Sequence, residues 1–242
     1  IYPTVQQMGK AAAQEVADRI CNLLEGKAEI NMIFAAAPSQ EEFLHHLISD
    51  QRISWNRINA FHMDEYIGVL PDAPQSFGNF LRIRIFDKVP FKNVYYLNGH
   101  ATDLEEECTR YTSLLSQFPT DIVCLGIGEN GHIAFNDPDV ANFNDHKLVK
   151  IVKLDHVCRQ QQVNEKCFET LEQVPTEALT LTIPALLKAK WMFCIVPFKN
   201  KSQAVYRTIH GDISEKCPAS ILRRKEKSSL YLDTESAQLL NL

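Results

Sequence analysis

The chain has 242 residues, of which 45% are hydrophobic, and this is sufficient for one large α/β domain with a buried core. Its 25 basic and 30 acidic side chains give a formal net charge of −5, so no overall positive field would attract nucleic acid or an anionic membrane. We therefore expect neither as a partner, and an anionic ligand would have to be bound by a local group of residues.

The first forty residues predict a helix, a buried strand and the start of a second helix. From Val5 to Gly26 apolar residues recur every three or four positions, which is the period of an amphipathic helix. The segment "EINMIFAAA" that follows is typical of a buried strand. Ser39 and Glu42 have the spacing of a capping box and predict the start of the second helix.

The rest of the chain continues this alternation. Further strands are expected near residues 57–62, 94–97, 121–126, 148–154, 179–183, 191–196 and 229–233. Helices are expected near residues 76–85, 102–117, 159–171, 184–189, 199–210 and 234–240. Strands separated by helices form right-handed crossovers, so we predict a doubly wound, Rossmann-like α/β fold with a mostly parallel sheet and helices on both faces. No Pro-, Gly- or Ser-rich stretch marks a boundary, which favours a single domain over residues 1–242.

Polar clusters follow four of the predicted strands. They read "AAAPSQ", "HMDEY", "GIGENGH" and "PFKNK" in chain order. Ligands of open α/β sheets bind beyond the carboxyl ends of the strands, so the four clusters are expected to converge on one site.

The cluster "HMDEY" places two acids, Asp64 and Glu65, at a strand end. Adjacent side chains on a strand point to opposite faces, so we expect one acid to line the site and the other to be structural. A partly desolvated carboxylate has a raised pKa and is suited to take a proton from a carbon beside a carbonyl. The alternative for Asp64 is that it caps the next turn or pairs with an arginine.

The stretch "GIGENGHIAFNDP", residues 126–138, contains the G-x-G-x-x-G spacing of a dinucleotide-binding turn. That turn requires a helix after the third glycine, whereas turn-forming residues follow here. Asp155 lies about where a ribose-binding acid would be, so NAD binding stays open as an alternative. In the other interpretation, Gly128 and Gly131 let the backbone approach a small substrate while His132 acts as an acid or base.

Lys199 and Lys201 lie where the late helix is expected to begin. The N-terminus of a helix is already partially positive, so a lysine there is favoured when an anion such as phosphate binds between it and the amides. The alternative is a solvated surface lysine.

Seven cysteines, an odd number without a C-x-x-C pair, are typical of reduced thiols in a cytosolic protein rather than of a disulfide framework or zinc site. No apolar run reaches the roughly 18 residues of a membrane span, and no signal peptide is recognised before the first helix. We therefore expect a cytoplasmic protein without a metal.

The sequence resembles the glucosamine-6-phosphate deaminase/isomerase family over nearly its whole length. The segments "FHMDEYIGV", "LNG", "GIGENGHIAFNDP", "VPTEALTLTIPALLKAK" and "PASIL" occur in the order and spacing of that family. The resemblance implies a fold shared more distantly with 6-phosphogluconolactonases. It also implies an isomerase/deaminase that converts a hexosamine 6-phosphate to a ketohexose 6-phosphate and ammonia with acids and bases and no cofactor.

Four catalytic residues follow from this resemblance. Asp64 would move the proton between C2 and C1, and His132 would open the sugar ring by serving the ring oxygen. Asp137, where the family usually has Glu, would support His132. Asn130 stands where the family has Asp, and it can orient the imidazole without supplying a charge.

The resemblance also implies the residues that bind substrate. Lys201 would bind the 6-phosphate, and the family's glycine-rich phosphate loop is replaced by "AAAPSQ", which contributes Ala36, Ala37 and Ser39. Arg159 is a loose candidate for a phosphate-binding arginine in the family's mobile segment. The further expected substrate contacts are Glu65, Gly128 and Gly131.

Several functional alternatives stay open at this stage. Glucosamine 6-phosphate and galactosamine 6-phosphate are the candidate substrates, and the altered phosphate loop and histidine partner make the galactosamine form attractive. A lactonase would use the histidine as a base on water, and a non-catalytic sugar-phosphate-binding regulator would keep the pocket without turnover. Retention of "MDEY" and "GHIAFN" counts against the lactonase, and no basic arm supports the regulator. Relatives include monomers and symmetric assemblies, so a homo-oligomer also stays open.

Overall fold

The computed structural model describes residues 1–240 and contains an α/β fold with two sheets. The strands are β1 (Ile30–Phe34), β2 (Ile58–His62), β3 (Asp64–Tyr66), β4 (Asn93–Tyr95), β5 (Ile122–Leu125), β6 (Val149–Lys153), β7 (Glu177–Leu181), β8 (Trp191–Val196) and β9 (Ser228–Leu232). The helices are α1 (Val5–Gly26), α2 (Glu41–Ile48), α3 (Phe77–Leu81), α4 (Leu104–Gln117), α5 (His156–Asn164), α6 (Ile183–Leu187) and α7 (Ser202–His210). No helix among the described residues is long and apolar enough to cross a membrane.

The main sheet has six strands in the order β4-β2-β1-β5-β8-β9, and every neighbouring pair is parallel. From β1 the chain winds outward through β2 and β4, and it then returns to the other side of β1 to add β5, β8 and β9. The strand order therefore reverses between β1 and β5, where the following loops diverge and leave a crevice.

Helices cover both faces of the main sheet, as the sequence predicts. Met32 and Phe34 of β1 pack into the apolar cluster that contains the buried residues of α1 and α2. Ile33, whose side chain points the other way, packs with the buried residues of α4 and α7. All five residues of β1 are buried, which is the burial pattern of a central parallel strand.

The second sheet was not anticipated from the sequence. It consists of β3, β7 and β6 in antiparallel pairs, with Val149 of β6 opposite Leu181 of β7. The sequence predicted residues 148–154 and 179–183 as strands of one mostly parallel sheet, and this is wrong because they pair with each other in a separate antiparallel sheet. The intervening segment, residues 154–176, is long enough for either a parallel crossover or an antiparallel return, so chain length could not decide between them.

Three predictions about helices also differ from the structure. Residues 234–240 form a series of turns after Asp233 instead of the expected helix. The expected capping box does not form, because Ser39 lies inside a short 3₁₀ helix, Pro38–Gln40, and the α2 helix begins without a side-chain cap. The helix expected near residues 159–171 spans His156–Asn164 and is followed by Lys166 with a φ of 60°, a left-handed conformation that a helix cannot continue.

Tyr111 of α4 fixes the point at which the chain leaves the main sheet. Its side chain is fully buried, and its hydroxyl donates to the His62 carbonyl at 2.9 Å and accepts from the His62 amide at 3.1 Å. His62 is the last residue of β2, and β3 begins two residues later. The tyrosine therefore satisfies the backbone groups that the sheet leaves unpaired at this bend.

We expect Tyr111→Phe to reduce the free energy of unfolding by about 1–3 kcal/mol, because both His62 backbone groups would be buried without a partner. Denaturant unfolding followed by circular dichroism measures the change. Tyr206→Phe is the matched control, because the Tyr206 side chain is 41% exposed. An equal loss in both variants would contradict this role of the Tyr111 hydroxyl.

Candidate active site

A single cavity at the carboxyl ends of the main-sheet strands brings together all four polar clusters of the sequence. Ala36 and Ser39 come from the loop after β1, Asp64 from the bend after β2, His132 from the loop after β5 and Lys201 from the segment after β8. The cavity lies at the reversal of strand order, where the loops after β1 and β5 face each other. Among the other expected contacts, Ala37 and Gly128 also line it.

The glycines of the loop after β5 make room for His132. A β-carbon on Gly128 would lie 2.1 Å from Cε1 of the His132 ring, so the imidazole packs directly over this glycine. Gly131 has a φ of 93°, in the left-handed region that glycine adopts without strain. No helix occurs between residue 132 and β6, so the structural context of a dinucleotide-binding turn is missing.

His132 is held through Nδ1. This nitrogen lies 2.8 Å from Oδ1 of Asn130 and 2.9 Å from Oδ1 of Asp137, and both oxygens are acceptors. The hydrogen on the ring is therefore at Nδ1, and Nε2 is the nitrogen available to a molecule in the cavity. The backbone amide of His132 also donates to Asn130, at 3.0 Å.

Asp137 is fully buried and is held as a carboxylate. Burial alone would raise its pKa, but the charge of His132 and hydrogen bonds from His132 and Asn130 lower the pKa of Asp137 below its ordinary value. The preceding residue, Asn136, donates from its side-chain amide to the backbone carbonyls of Ile133 and Leu181. The small antiparallel sheet thus anchors the histidine loop.

Asp64 and Glu65 face different surroundings, as expected for adjacent residues of a strand. Asp64 lines the cavity, is 6% exposed, and has a pKa well above its ordinary value because of burial and the neighbouring charge of Glu65. Glu65 lies outside the cavity lining and accepts hydrogen bonds from Ser76 Oγ and the backbone amides of Phe77 and Gly78. Its pKa is nevertheless raised, because burial outweighs these bonds. The structure thus places Glu65 at the start of α3 and not with the expected substrate contacts.

Lys201 is 2% exposed and pairs with an acid that the sequence analysis did not single out. Its Nζ lies 3.0 Å from Oε1 of Glu165, which also accepts from Gln161 Nε2 at 2.8 Å. Gln161 and Gln162, which line the cavity, were also missed. The i,i+4 spacing of Gln161 and Glu165 in "CRQQQVNEK" was the available signal, because it places both on one face of a helix.

Besides Glu65, two predicted substrate contacts, Arg159 and Gly131, do not reach the cavity lining. Arg159 donates to the carbonyls of Leu171 and Val174 and so ties α5 to the loop that follows it. Gly131 packs against Cys217, and a β-carbon at position 131 would lie 2.7 Å from the sulfur of that cysteine. Lys199 is exposed, in contrast to the buried Lys201.

The side chains of His132, Asp137 and Cys158 place potential metal-ligand atoms within 4.8 Å of one another. His132 Nδ1 and Asp137 Oδ1 are only 2.9 Å apart, whereas two ligands of a tetrahedral zinc ion at about 2.0 Å are about 3.3 Å apart. The geometry of this group is that of a hydrogen-bonded pair rather than of a metal centre.

Comparison with known proteins agrees with this geometry. The family model described as glucosamine-6-phosphate isomerases/6-phosphogluconolactonase matches residues 3–231. The chain belongs to this family. Among curated family members, it is 36% identical over 212 residues to a glucosamine-6-phosphate deaminase of Listeria innocua, with 88% of each chain covered. It is 39% identical over 188 residues to that of Bacillus cereus, which covers 78% of this chain and 70% of the relative.

Solved structures of the family have the same fold. A monomeric glucosamine-6-phosphate deaminase superposes with a TM-score of 0.89 and 32% sequence identity, covering 98% of this chain and 97% of the other. A 6-phosphogluconolactonase of Thermotoga maritima gives a TM-score of 0.76 at 20% identity, covering 93% and 94%, a likeness of fold alone. The sequence-based assignments to the family and to the α/β class are confirmed.

We expect Asp64→Asn to stabilise the protein at neutral pH. Burial raises the pKa of Asp64, so the protonated carboxyl favours the folded state fully below pH 3.8, and this contribution is lost as the pH rises through the raised pKa. The melting temperature of Asp64→Asn should exceed that of the wild type at neutral pH by about 3 °C, the effect of about 1 kcal/mol in a chain of this size.

The gain should shrink as the pH approaches 3.8, where the wild-type carboxyl is neutral in both states. Calorimetry at a series of pH values measures it. Asp139→Asn, at an exposed position, is the control and should follow the wild type at every pH. A gain that does not change with pH would contradict the raised pKa.

Proposed function

We propose that this protein is an enzyme that converts glucosamine 6-phosphate and water to fructose 6-phosphate and ammonia. The observation that carries the proposal is that Asp64, His132 and Lys201 line one cavity. A carboxyl of raised pKa, an imidazole with a fixed tautomer and a buried cation are the groups that this reaction uses. The names of the Listeria innocua and Bacillus cereus relatives support glucosamine rather than galactosamine as the amino sugar.

In this proposal His132 opens the sugar ring. Because Nδ1 carries the hydrogen that Asn130 and Asp137 accept, Nε2 takes the proton from the 1-hydroxyl and delivers it to the ring oxygen as the bond from C1 to that oxygen breaks. The buried Asp137 carboxylate stabilises the imidazolium that forms between the two transfers.

Asp64 then acts on the open-chain sugar. Its carboxylate removes the proton from C2, which leaves a C1–C2 enolate with the amino group on C2. The proton then returns to C1 while a proton of the amino group passes to O1, which gives an imine at C2. Water adds to the imine and ammonia leaves, which yields the ketone of fructose 6-phosphate. A base of raised pKa suits this step, because the proton it removes is held by carbon and a stronger base removes it faster.

The phosphate is assigned to Lys201 and to the backbone of the loop after β1, which contributes Ala36, Ala37 and Ser39 to the cavity. Lys201 Nζ also forms an ion pair with Glu165, at 3.0 Å. The lactonase alternative leaves Asp64 without a task, since hydrolysis of a lactone requires no base at C2. The regulator alternative likewise gives no reason to bury an acid of raised pKa in the cavity.

The seven cysteines are free thiols, in keeping with a cytosolic location.

The deciding experiment measures ammonia and fructose 6-phosphate from purified protein given glucosamine 6-phosphate, with galactosamine 6-phosphate and 6-phosphogluconolactone as comparison substrates. Asp64→Asn and His132→Gln should each lower kcat by about 10²–10⁴-fold, the usual contribution of a general acid or base. Asp64→Asn should also abolish exchange of the C2 hydrogen with deuterated water. Turnover of the lactone alone, or binding of the sugar phosphates without turnover, would contradict the proposal.

Helix α5 forms one side of the cavity. Gln161 and Gln162 of α5 line it, and Glu165 follows at the end of the same helix. A sugar phosphate whose phosphate binds Lys201 therefore replaces the Glu165 carboxylate on that lysine.

Glu165→Gln should consequently lower KM for glucosamine 6-phosphate, by about three- to tenfold, because the phosphate no longer competes with a charge-assisted hydrogen bond worth about 1 kcal/mol. Steady-state kinetics measure the change, and kcat should stay within about twofold of the wild type, since Glu165 touches none of the proposed catalytic groups.

Glu169→Gln, the same substitution at an exposed position shortly after Glu165, is the control and should leave KM unchanged. A rise in KM for Glu165→Gln would instead assign Glu165 a part in holding substrate.

A further inference from the structure

Asn130 can support His132 only if its amide is fixed in one of two orientations. With Oδ1 towards the imidazole, the amide accepts from Nδ1; with Nδ2 towards it, two donors would face each other or the ring would have to carry its hydrogen on Nε2. The two orientations have nearly the same shape, so packing does not choose between them. The surrounding donors and acceptors make the choice.

Asp155 is one of these acceptors. Asn130 Nδ2 donates to Asp155 Oδ2 at 2.8 Å and to Asp137 Oδ1 at 2.9 Å, so each hydrogen of the amide reaches a carboxylate. Carboxylates accept and do not donate, and this pair therefore turns Oδ1 towards His132.

The position of Asp155 is itself fixed. The residue is the N-cap of α5, and its other oxygen, Oδ1, accepts from the Cys158 amide at 2.6 Å. Its own backbone amide lies 3.4 Å from Asp137 Oδ2. Rotation of the Asp155 carboxylate would break the cap, so the helix end and the Asn130 amide are held by the same group.

We infer that Asp155 is a positioning residue for the reaction, which acts through Asn130 to keep the hydrogen of His132 on Nδ1 and leave Nε2 free for the substrate. It touches neither the substrate cavity nor the imidazole. The inference rests on the proposed function for its catalytic consequence, whereas the tautomer of His132 follows from the hydrogen bonds alone.

The substitution Asp155→Asn tests this without removing the cap, because Asn caps helices about as well as Asp. If the oxygen of the introduced side chain stays on the Cys158 amide, its nitrogen faces Asn130 Nδ2 and drives the Asn130 amide to reverse. Nδ1 of His132 then faces the amide nitrogen of Asn130 and keeps only Asp137 as an acceptor. We expect kcat to fall by about 10–100-fold with KM within about twofold, because the catalytic imidazole loses one of the two acceptors that orient it and fix its tautomer.

The double variant N130D/D155N exchanges the amide and the carboxylate. The amide at position 155 then donates to the carboxylate at position 130. That carboxylate accepts from His132 Nδ1 in either orientation, because both of its oxygens are acceptors. We expect kcat at least about tenfold above that of Asp155→Asn. Asn130→Asp alone should be impaired, because it brings three carboxylates together at positions 130, 137 and 155.

Nitrogen-15 NMR of histidine-labelled protein reads the tautomer directly, with His132→Gln to assign the signal. The wild type and N130D/D155N should show the hydrogen on Nδ1, and Asp155→Asn should show a mixture of the two tautomers. Circular dichroism should be the same for all variants.

An Asp155→Asn variant with the hydrogen of His132 still wholly on Nδ1 and kcat unchanged, or a double variant no better than Asp155→Asn, would overturn the inference. If the wild type lacks deaminase activity, the proposed function fails, and the NMR signals still decide the role of Asp155.

Discussion

The reversal of strand order between β1 and β5 is the constraint on which the site depends. Neighbouring parallel strands send their connections to opposite faces at this point only, so the loops after them separate and leave the cavity between. The loop after β1 contributes its backbone and Ser39 to the cavity. The loop after β5 contributes His132, whose ring packs over Gly128. The strands on either side, β2 and β8, add Asp64 and Lys201 from their own carboxyl ends.

Burial of charge is the second constraint, and it raises the pKa of both Asp64 and Asp137, but only Asp137 has partners that reverse the effect. Asp64 lies in an environment that disfavours its carboxylate, which gives a strong base at a cost in stability. Asp137 is more deeply buried but receives hydrogen bonds from His132 and Asn130, which keep it ionised. Two acids in one site are thus tuned apart by their hydrogen bonds, in the way that proton-transfer sites require.

The small antiparallel sheet links these groups. Asp64 begins β3, Asn136 bonds to the end of β7, and Asp155 follows β6 two residues after its last member. The sheet holds the histidine loop on one side and the start of α5 on the other. The inner face of α5 then closes the cavity with Gln161 and Gln162, and its end places Glu165 on Lys201. A movement of α5 would therefore open the cavity and release the lysine together.

The sequence by itself determined the α/β class, the parallel main sheet and the four loops at its edge, because each depends on local periodicity and on residues that end strands. It also singled out the positions of Asp64, His132 and Lys201. Tertiary structure decided the rest. Three features depend on partners far away along the chain. They are the pairing of β6 with β7, the position of Glu65 outside the cavity, and the contacts of Asp155 and Glu165. Such hydrogen bonds leave no period in the sequence, since they are made only when folding brings the partners together.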